Sequence, residues 1–318
     1  MTSPAGHVAR QVLGGALLRG ARQDLRAVAK GWRWGRRSLV PRSAEPFQPP
    51  RTSEPFPTAW ARSPVASVAR EGIQKLGLAP LLRSQVAPVV HGLDVLDRFG
   101  GPVIFVANHT SHLDTPLILC SLPDRWRRRT AVAAAADYFF DTWWRATGSA
   151  MVFNTFPIER RTGSLSSTPG DLLDQGWSIV VFPEGTRSPD GWTRAFRHGA
   201  AFLAVRHHVP VVPIGIRGSF AAMPRGRGWP VPGRPPVTVR FGRPLRAAEG
   251  EGPRELGARV EAAVAALIDE DGSTWWDATR RAARGQTPST SGPDVARWRR
   301  VWTQTQPPAV GKNRRVWR

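Results

Sequence analysis

Short, β-branched apolar runs, each ending in a turn that feeds a helical stretch, narrow most what this chain can fold into. Residues 102–107, 152–158, 177–182, 210–216 and 237–241 are nearly continuous in apolar side chains. Runs of that length and composition read as buried strands. Residues 130–136 are a further strand or a short buried helix, a choice that their alanines leave open, and residues 86–96 read as a first strand or a pair of strands turning at Gly92. Between them lie helical stretches. Residues 65–83 form one broken at Gly77 and Pro80, residues 171–175 end at Gly176, and residues 197–208 and 254–268 follow. This alternation predicts the α/β class: a mostly parallel central sheet flanked by helices on both faces. No internal repeat is visible.

Two of the turns carry chemistry. The first strand-like run leads into Asn108, His109, Thr110, Ser111, His112, Leu113 and Asp114, where a strand ends and a helix starts. Open α/β sheets keep their sites at such places. A neutral imidazole takes a proton near pH 7, and a carboxylate beside it fixes its tautomer and stabilises the imidazolium. Residues five apart share no helix face, so His109 belongs in the turn and Asp114 reaches back from the first helical turn. Ser111 and Asp114 also have the spacing of a helix N-cap with its acidic partner, which gives Ser111 a capping role. The second turn follows residues 177–182 and holds Pro183, Glu184, Gly185, Thr186, Arg187 and Ser188.

Asn-His-x-Ser-x-x-Asp at 108–114 followed by Phe-Pro-Glu-Gly-Thr-Arg-Ser at 182–188 resembles the glycerolipid acyltransferases. Two further blocks of that family have counterparts, Phe-Pro-Ile-Glu-Arg at 156–160 and Val-Val-Pro-Ile-Gly at 211–215, and the likeness covers residues 89–245 in the family's order. The second block departs from the pattern, with Asn154 or Thr155 standing where the family usually carries glycine. The resemblance implies transfer of a fatty acyl group from a thioester of coenzyme A or acyl carrier protein to a hydroxyl. The acceptor it implies is a lysophospholipid or glycerol phosphate, 1-acyl-glycerol-3-phosphate before others. His109 would be the general base and Asp114 its orienting partner, without a covalent acyl-enzyme. Asn108, Arg160, Glu184, Gly185, Thr186, Arg187 and Ser188 would hold the acceptor, Arg160 and Arg187 through planar guanidinium forks and Gly185 through its turn. Arg217, just past the last core strand, either adds charge or is a solvated strand end. The aromatic residues within 138–144 read first as core packing and second as a wall for the acyl chain.

No cofactor is expected beyond the acyl thioester, and no metal. His109 with His112, and His207 with His208, lack a third and fourth ligand at workable spacing. Neither a Walker loop nor a dinucleotide glycine fingerprint occurs. Cys120, the single cysteine, excludes an internal disulfide, fits a reducing compartment and reads as core.

Of the net charge of +21, the ends carry +15. Residues 1–60 hold ten Lys/Arg against three Asp/Glu, and residues 275–318 hold ten against two. Such ends suit an anionic partner; the four ordered blocks favour an anionic membrane surface over nucleic acid. Residues 7–34 have the spacing of a basic amphipathic helix, and seven prolines between 41 and 64 make a linker or strap. No run approaches the roughly twenty apolar residues of a membrane span, which predicts a protein peripheral on the inner face of the cell membrane. The expected organisation is therefore a basic helix and linker over 1–64, a catalytic domain over 65–270, and a basic Trp/Arg-rich tail over 271–318. That tail reads as a disordered arm or a membrane-surface anchor.

Overall fold

The computed structural model describes residues 57–135, 143–158 and 168–306. The expected basic helix, most of the proline-rich linker, Arg160 and the last twelve residues lie outside the described residues. A 3-10 turn, Ala59–Arg62, leads into α1 (Pro64–Gly72), which Ser63 caps by accepting the Ala66 N–H. A π-helical turn, Ile73–Leu78, joins α1 to α2 (Ala79–Gln85). Gly77 and Pro80 therefore do not break the helix as expected. Pro80 stands in the first turn of α2, where a missing N–H costs little, and the wider π turn takes up the join.

The elements that follow are β1 (Ala87–His91), β2 (Ile104–Ala107), α3 (Asp114–Ser121), α4 (Asp124–Arg127) and β3 (Thr130–Ala135). Next are α5 (Trp143–Phe153), β4 (Thr155–Ile158), α6 (Thr168–Asp174), β5 (Ser178–Val181), α7 (Gly199–Arg206) and β6 (Val211–Arg217). The chain then makes α8 (Ser219–Ala222), β7 (Pro236–Phe241), α9 (Pro253–Gly272), α10 (Trp275–Ala283) and α11 (Arg297–Thr305). Of the two readings of residues 86–96, the single strand holds: β1 ends just before Gly92, whose left-handed backbone (φ 76°) turns the chain into a 3-10 helix over Leu93–Arg98. The strand expected over 152–158 shortens: β4 begins at Thr155 because α5 runs on to Phe153. Asn154 makes the break with φ 52°, so the residue standing where glycine was expected adopts glycine's backbone, as asparagine tolerates.

The seven strands form one sheet in the order β1-β7-β6-β2-β5-β3-β4, and every pairing is parallel except β6 with β7. In β2, successive side chains point to opposite faces. Phe105 and Ala107 join one core with Leu117 and Ile118 of α3, while Ile104 and Val106 join the other with Leu203 of α7 and Val260 and Val264 of α9. Helices thus cover both faces of the central strand, whose four residues are all buried. Alanine-rich residues 130–135 resolve as strand β3 because β4 and β5 give them ladder partners on both sides. Of the aromatic stretch 138–144, residues 138–142 lie outside the described residues; Trp143 and Trp144 are 43% and 53% exposed at the start of α5, so these two are not core.

The described part of the tail, residues 271–306, is folded against the domain. Arg281 pairs with Asp269 across α9 and α10, and Arg300 of α11 pairs with Asp190. Among the described residues no helix is long and apolar enough to cross a membrane.

Candidate active site

β2 and β5 lie side by side in parallel, Ile104 opposite Ile179, so the turns at their C-terminal ends emerge together. The first turn is built around one carboxylate. Asp114, fully buried, accepts from the backbone N–H of Thr110 (2.7 Å) and of Ser111 (2.8 Å) through Oδ2, and the same oxygen lies 2.9 Å from His109 Nδ1. Two fixed N–H donors hold that oxygen aimed at the ring. With Nδ1–H donating to Asp114, Nε2 carries the lone pair, and the His109 side chain remains partly exposed. Phe182, the last residue before the second turn, stacks on the imidazole at 4.0 Å between ring centres, 21° off parallel.

The two turns are bonded to each other. Ser188 N–H donates to the His109 carbonyl (2.8 Å), and His109 N–H donates to Glu184 Oε1 (2.7 Å). Glu184 Oε2 accepts from Arg194 N–H (2.9 Å). Burial pushes the Glu184 carboxyl up to about 8, opposed by these two backbone donors. His112 is pulled down to about 4, first by burial and then by the charge of Arg187, so it is neutral near pH 7.

The residues expected to hold an acceptor fall into two groups. Gly185, Thr186 and Arg187 are half-buried at the rim. Gly185 has φ 71° and a Cβ there would meet the Arg197 guanidinium, so the turn needs glycine for both reasons. Asn108, Glu184 and Ser188 are buried and committed to the scaffold. The Asn108 amide exchanges two bonds with the Ile216 backbone (2.9 and 2.8 Å), and Ser188 Oγ donates to Asp190 (3.1 Å). Ser111 does not cap α3, which starts at Asp114 behind Leu113; its hydroxyl donates to the Met223 carbonyl (2.9 Å) and accepts from Leu113 N–H (3.2 Å). Arg217 pairs with Asp271 at 3.7 Å. Cys120 is half-buried and its thiol is raised by burial, as a core cysteine. A cleft of about 300 Å3 lies behind Asn108 and Thr110, walled by Trp192, Phe220, Ile268 and Thr290.

Sequence reasoning missed Phe182, Arg194 and the Ser219 hydroxyl that meets Thr110 Oγ1 (2.8 Å). Phe182 alone had a signal, being the aromatic residue at the strand end. Among the described residues no cluster of His, Cys, Asp and Glu has metal-site geometry.

An acyltransferase family model matches residues 87–217, which contain both turns. A mouse 1-acyl-sn-glycerol-3-phosphate acyltransferase alpha is 30% identical over 212 residues, covering 62% of this chain and 70% of that protein. A chloroplastic enzyme of the same name from Brassica napus is 32% identical over 43% of this chain, and one from Pseudomonas aeruginosa is 38% identical over 33%. Against these two the chain spans about two fifths of their length, 39% and 41%. The crystal structure of the 1-acyl-sn-glycerophosphate acyltransferase PlsC from Thermotoga maritima superposes with a TM-score of 0.51 and 25% identity, over 67% of this chain and 87% of that one.

Proposed function

The chain belongs to the acyltransferase family, and from that premise we propose that it moves a fatty acyl group from a thioester to the free hydroxyl of 1-acyl-glycerol-3-phosphate, giving phosphatidic acid. Support for the reaction type rests above all on the His109–Asp114 pair at 2.9 Å on a turn bonded to the one that carries Arg187. A hydroxyl is a weak nucleophile, and a positioned base is worth roughly a hundred- to ten-thousand-fold. His109 Nε2 takes the acceptor's proton as its oxygen attacks the thioester carbonyl. The C–S bond then breaks, and the imidazolium returns the proton to the leaving thiolate of coenzyme A or acyl carrier protein. Asp114 holds the tautomer and stabilises the imidazolium, so no acyl-enzyme forms.

For the acceptor, the phosphate is held by the fork of Arg187 with the Gly185 turn beside it, and by Arg160 as the family resemblance implies. The names of the relatives support this acceptor, being 1-acyl-sn-glycerol-3-phosphate acyltransferases. A lipid acceptor and +21 of charge support work at an anionic membrane surface, on the inner face of the cell membrane.

Purified protein incubated with labelled acyl-CoA or acyl carrier protein and a panel of lysolipids, with products identified by mass spectrometry, tests the whole reading. Phosphatidic acid is expected from the wild type, and at least a hundredfold less from His109→Ala with its fold intact. Free fatty acid as the only product makes the protein a hydrolase, and wild-type transfer by His109→Ala removes the base.

A further inference from the structure

Helix α11 has two faces with different surroundings. Toward the domain it turns Arg300, Val301 and Gln304, all half-buried. Arg300 Nε bonds Asp190 Oδ2 at 2.6 Å, its two other nitrogens donate to the carbonyls of Pro293 and Ser291 at 2.7 Å each, and its own carbonyl accepts from Trp192 Nε1 at 3.2 Å. Thr193 N–H adds a bond to the Thr290 carbonyl (2.9 Å). Asp190 is in turn bonded by Ser188, whose N–H holds the His109 carbonyl. The helix is thus fastened to the loop that continues from Arg187.

The other face is bare. Trp298 and Trp302, four residues apart and so on one stripe, are 66% and 60% exposed, with Thr305 exposed one turn on. The Arg299 guanidinium lies 5.3 Å from the Trp298 ring, while Arg297, on the domain stripe, donates to the Pro189 carbonyl at 3.3 Å. Residues 273–306 hold six arginines against two aspartates. Two uncovered indoles with the Arg299 guanidinium beside them, on a basic segment, match the interface of an anionic bilayer, where indoles settle at headgroup level and arginines meet lipid phosphates. Single-stranded nucleic acid is held instead in a basic groove with aromatic platforms, whereas these indoles stand on the outer face of a helix.

We propose that α11 is a docking surface for an anionic lipid bilayer, and that its clasp on Asp190 and Trp192 holds the Arg187 turn at that surface, where an amphiphilic acceptor resides. The purpose given to the clasp rests on the acyltransfer reading; the bilayer contact itself does not.

The test uses the full chain and vesicles of phosphatidylcholine, alone or mixed with phosphatidylglycerol. The wild type is expected to sediment with the mixed vesicles. Trp298→Ser/Trp302→Ser is expected to partition about tenfold less, with an unchanged melting temperature and unchanged acyl transfer to a detergent-dispersed acceptor. A polarity-sensitive dye on Thr305→Cys, in a Cys120→Ser background, is expected to shift to the blue on the mixed vesicles, which reads α11 separately from any other contact. Wild-type partition by the double variant, or a dye that stays in water, overturns the proposal. So does a single-stranded oligonucleotide that binds through the same two tryptophans in preference to vesicles. Docking without any acyl transfer leaves the surface standing and removes the proposed reaction, and acyl transfer with the dye in water does the reverse.

Discussion

Replacing Asp114 by Asn separates the charge of the site from its geometry. Asp114 Oδ2 takes all three donors, His109 Nδ1 and the N–H groups of Thr110 and Ser111, while Oδ1 is buried with no partner among the described residues. An amide oxygen in the place of Oδ2 accepts the same three donors, and the amide nitrogen takes the place of Oδ1. The fold should therefore stand. What is lost is the carboxylate's hold on the imidazolium that forms as the acceptor's proton moves. A hydrogen bond to a charged partner nets about 1.5–3 kcal/mol against about 1 for a neutral one. At about 1.4 kcal/mol per decade, loss of about 0.5–2 kcal/mol across this one bond predicts a roughly two- to thirtyfold fall in kcat. Asp114→Ala differs: it leaves two buried backbone N–H groups and the ring without an acceptor, at about 1–3 kcal/mol each. For a domain of this size that predicts a drop on the order of 10 °C in Tm. Thiol release from the acyl donor measures the rate, and calorimetry or circular dichroism the melt. A wild-type kcat in a folded Asp114→Asn protein would falsify the role given to the charge. Equal Tm for the Asn and Ala variants would refute the backbone role of Oδ2.

Three other outcomes follow from the same coordinates. Glu184 holds its proton more tightly folded (about 8) than at its ordinary 4.5. Its contribution to stability is therefore full below about pH 4.5 and lost as pH rises to about 8, and Glu184→Gln should flatten the fall of Tm over that window, its cost of about 1–3 kcal/mol, from the amide end that now faces a backbone N–H, being seen at the low-pH end. Asn108→Ala strands the buried N–H and carbonyl of Ile216 and should cost about 2–4 kcal/mol in urea unfolding; an unchanged midpoint would show that the strand ends hold without it. Arg300→Met cuts the clasp on Asp190 and should raise the acceptor KM several-fold with kcat nearly unchanged, Arg300→Lys restoring part of it because lysine keeps the charge but not the fork; a pure kcat effect contradicts this.

What the sequence made legible was local. His109 and Asp114 are five residues apart, so the strand, turn and helix around them determine their meeting, and alternation of strands with helices was enough for the sheet. What it hid depended on partners far along the chain. Glu184 reads as an acceptor ligand until the His109 and Arg194 amides close on its two oxygens. Ser111 reads as a cap until the Met223 carbonyl arrives to take its proton. Asn154 looked like a departure from pattern, and its φ of 52° shows why it is a mild one. The tail's composition is that of a disordered arm, and a single buried acceptor, Asp190, together with the Trp192 indole, gives it a place to fold against.

The strand order dictates when the molecule can assemble as it leaves the ribosome. The base and its carboxylate are complete once α3 has emerged, yet β2 then lacks both of its lateral neighbours, β5 and β6, which are synthesised later. β1 waits longer still, for β7, which starts at Pro236. A nascent chain stalled before β6 carries an apolar central strand with an open edge, so chaperone capture should be strongest there and should cease only when β7 closes the row.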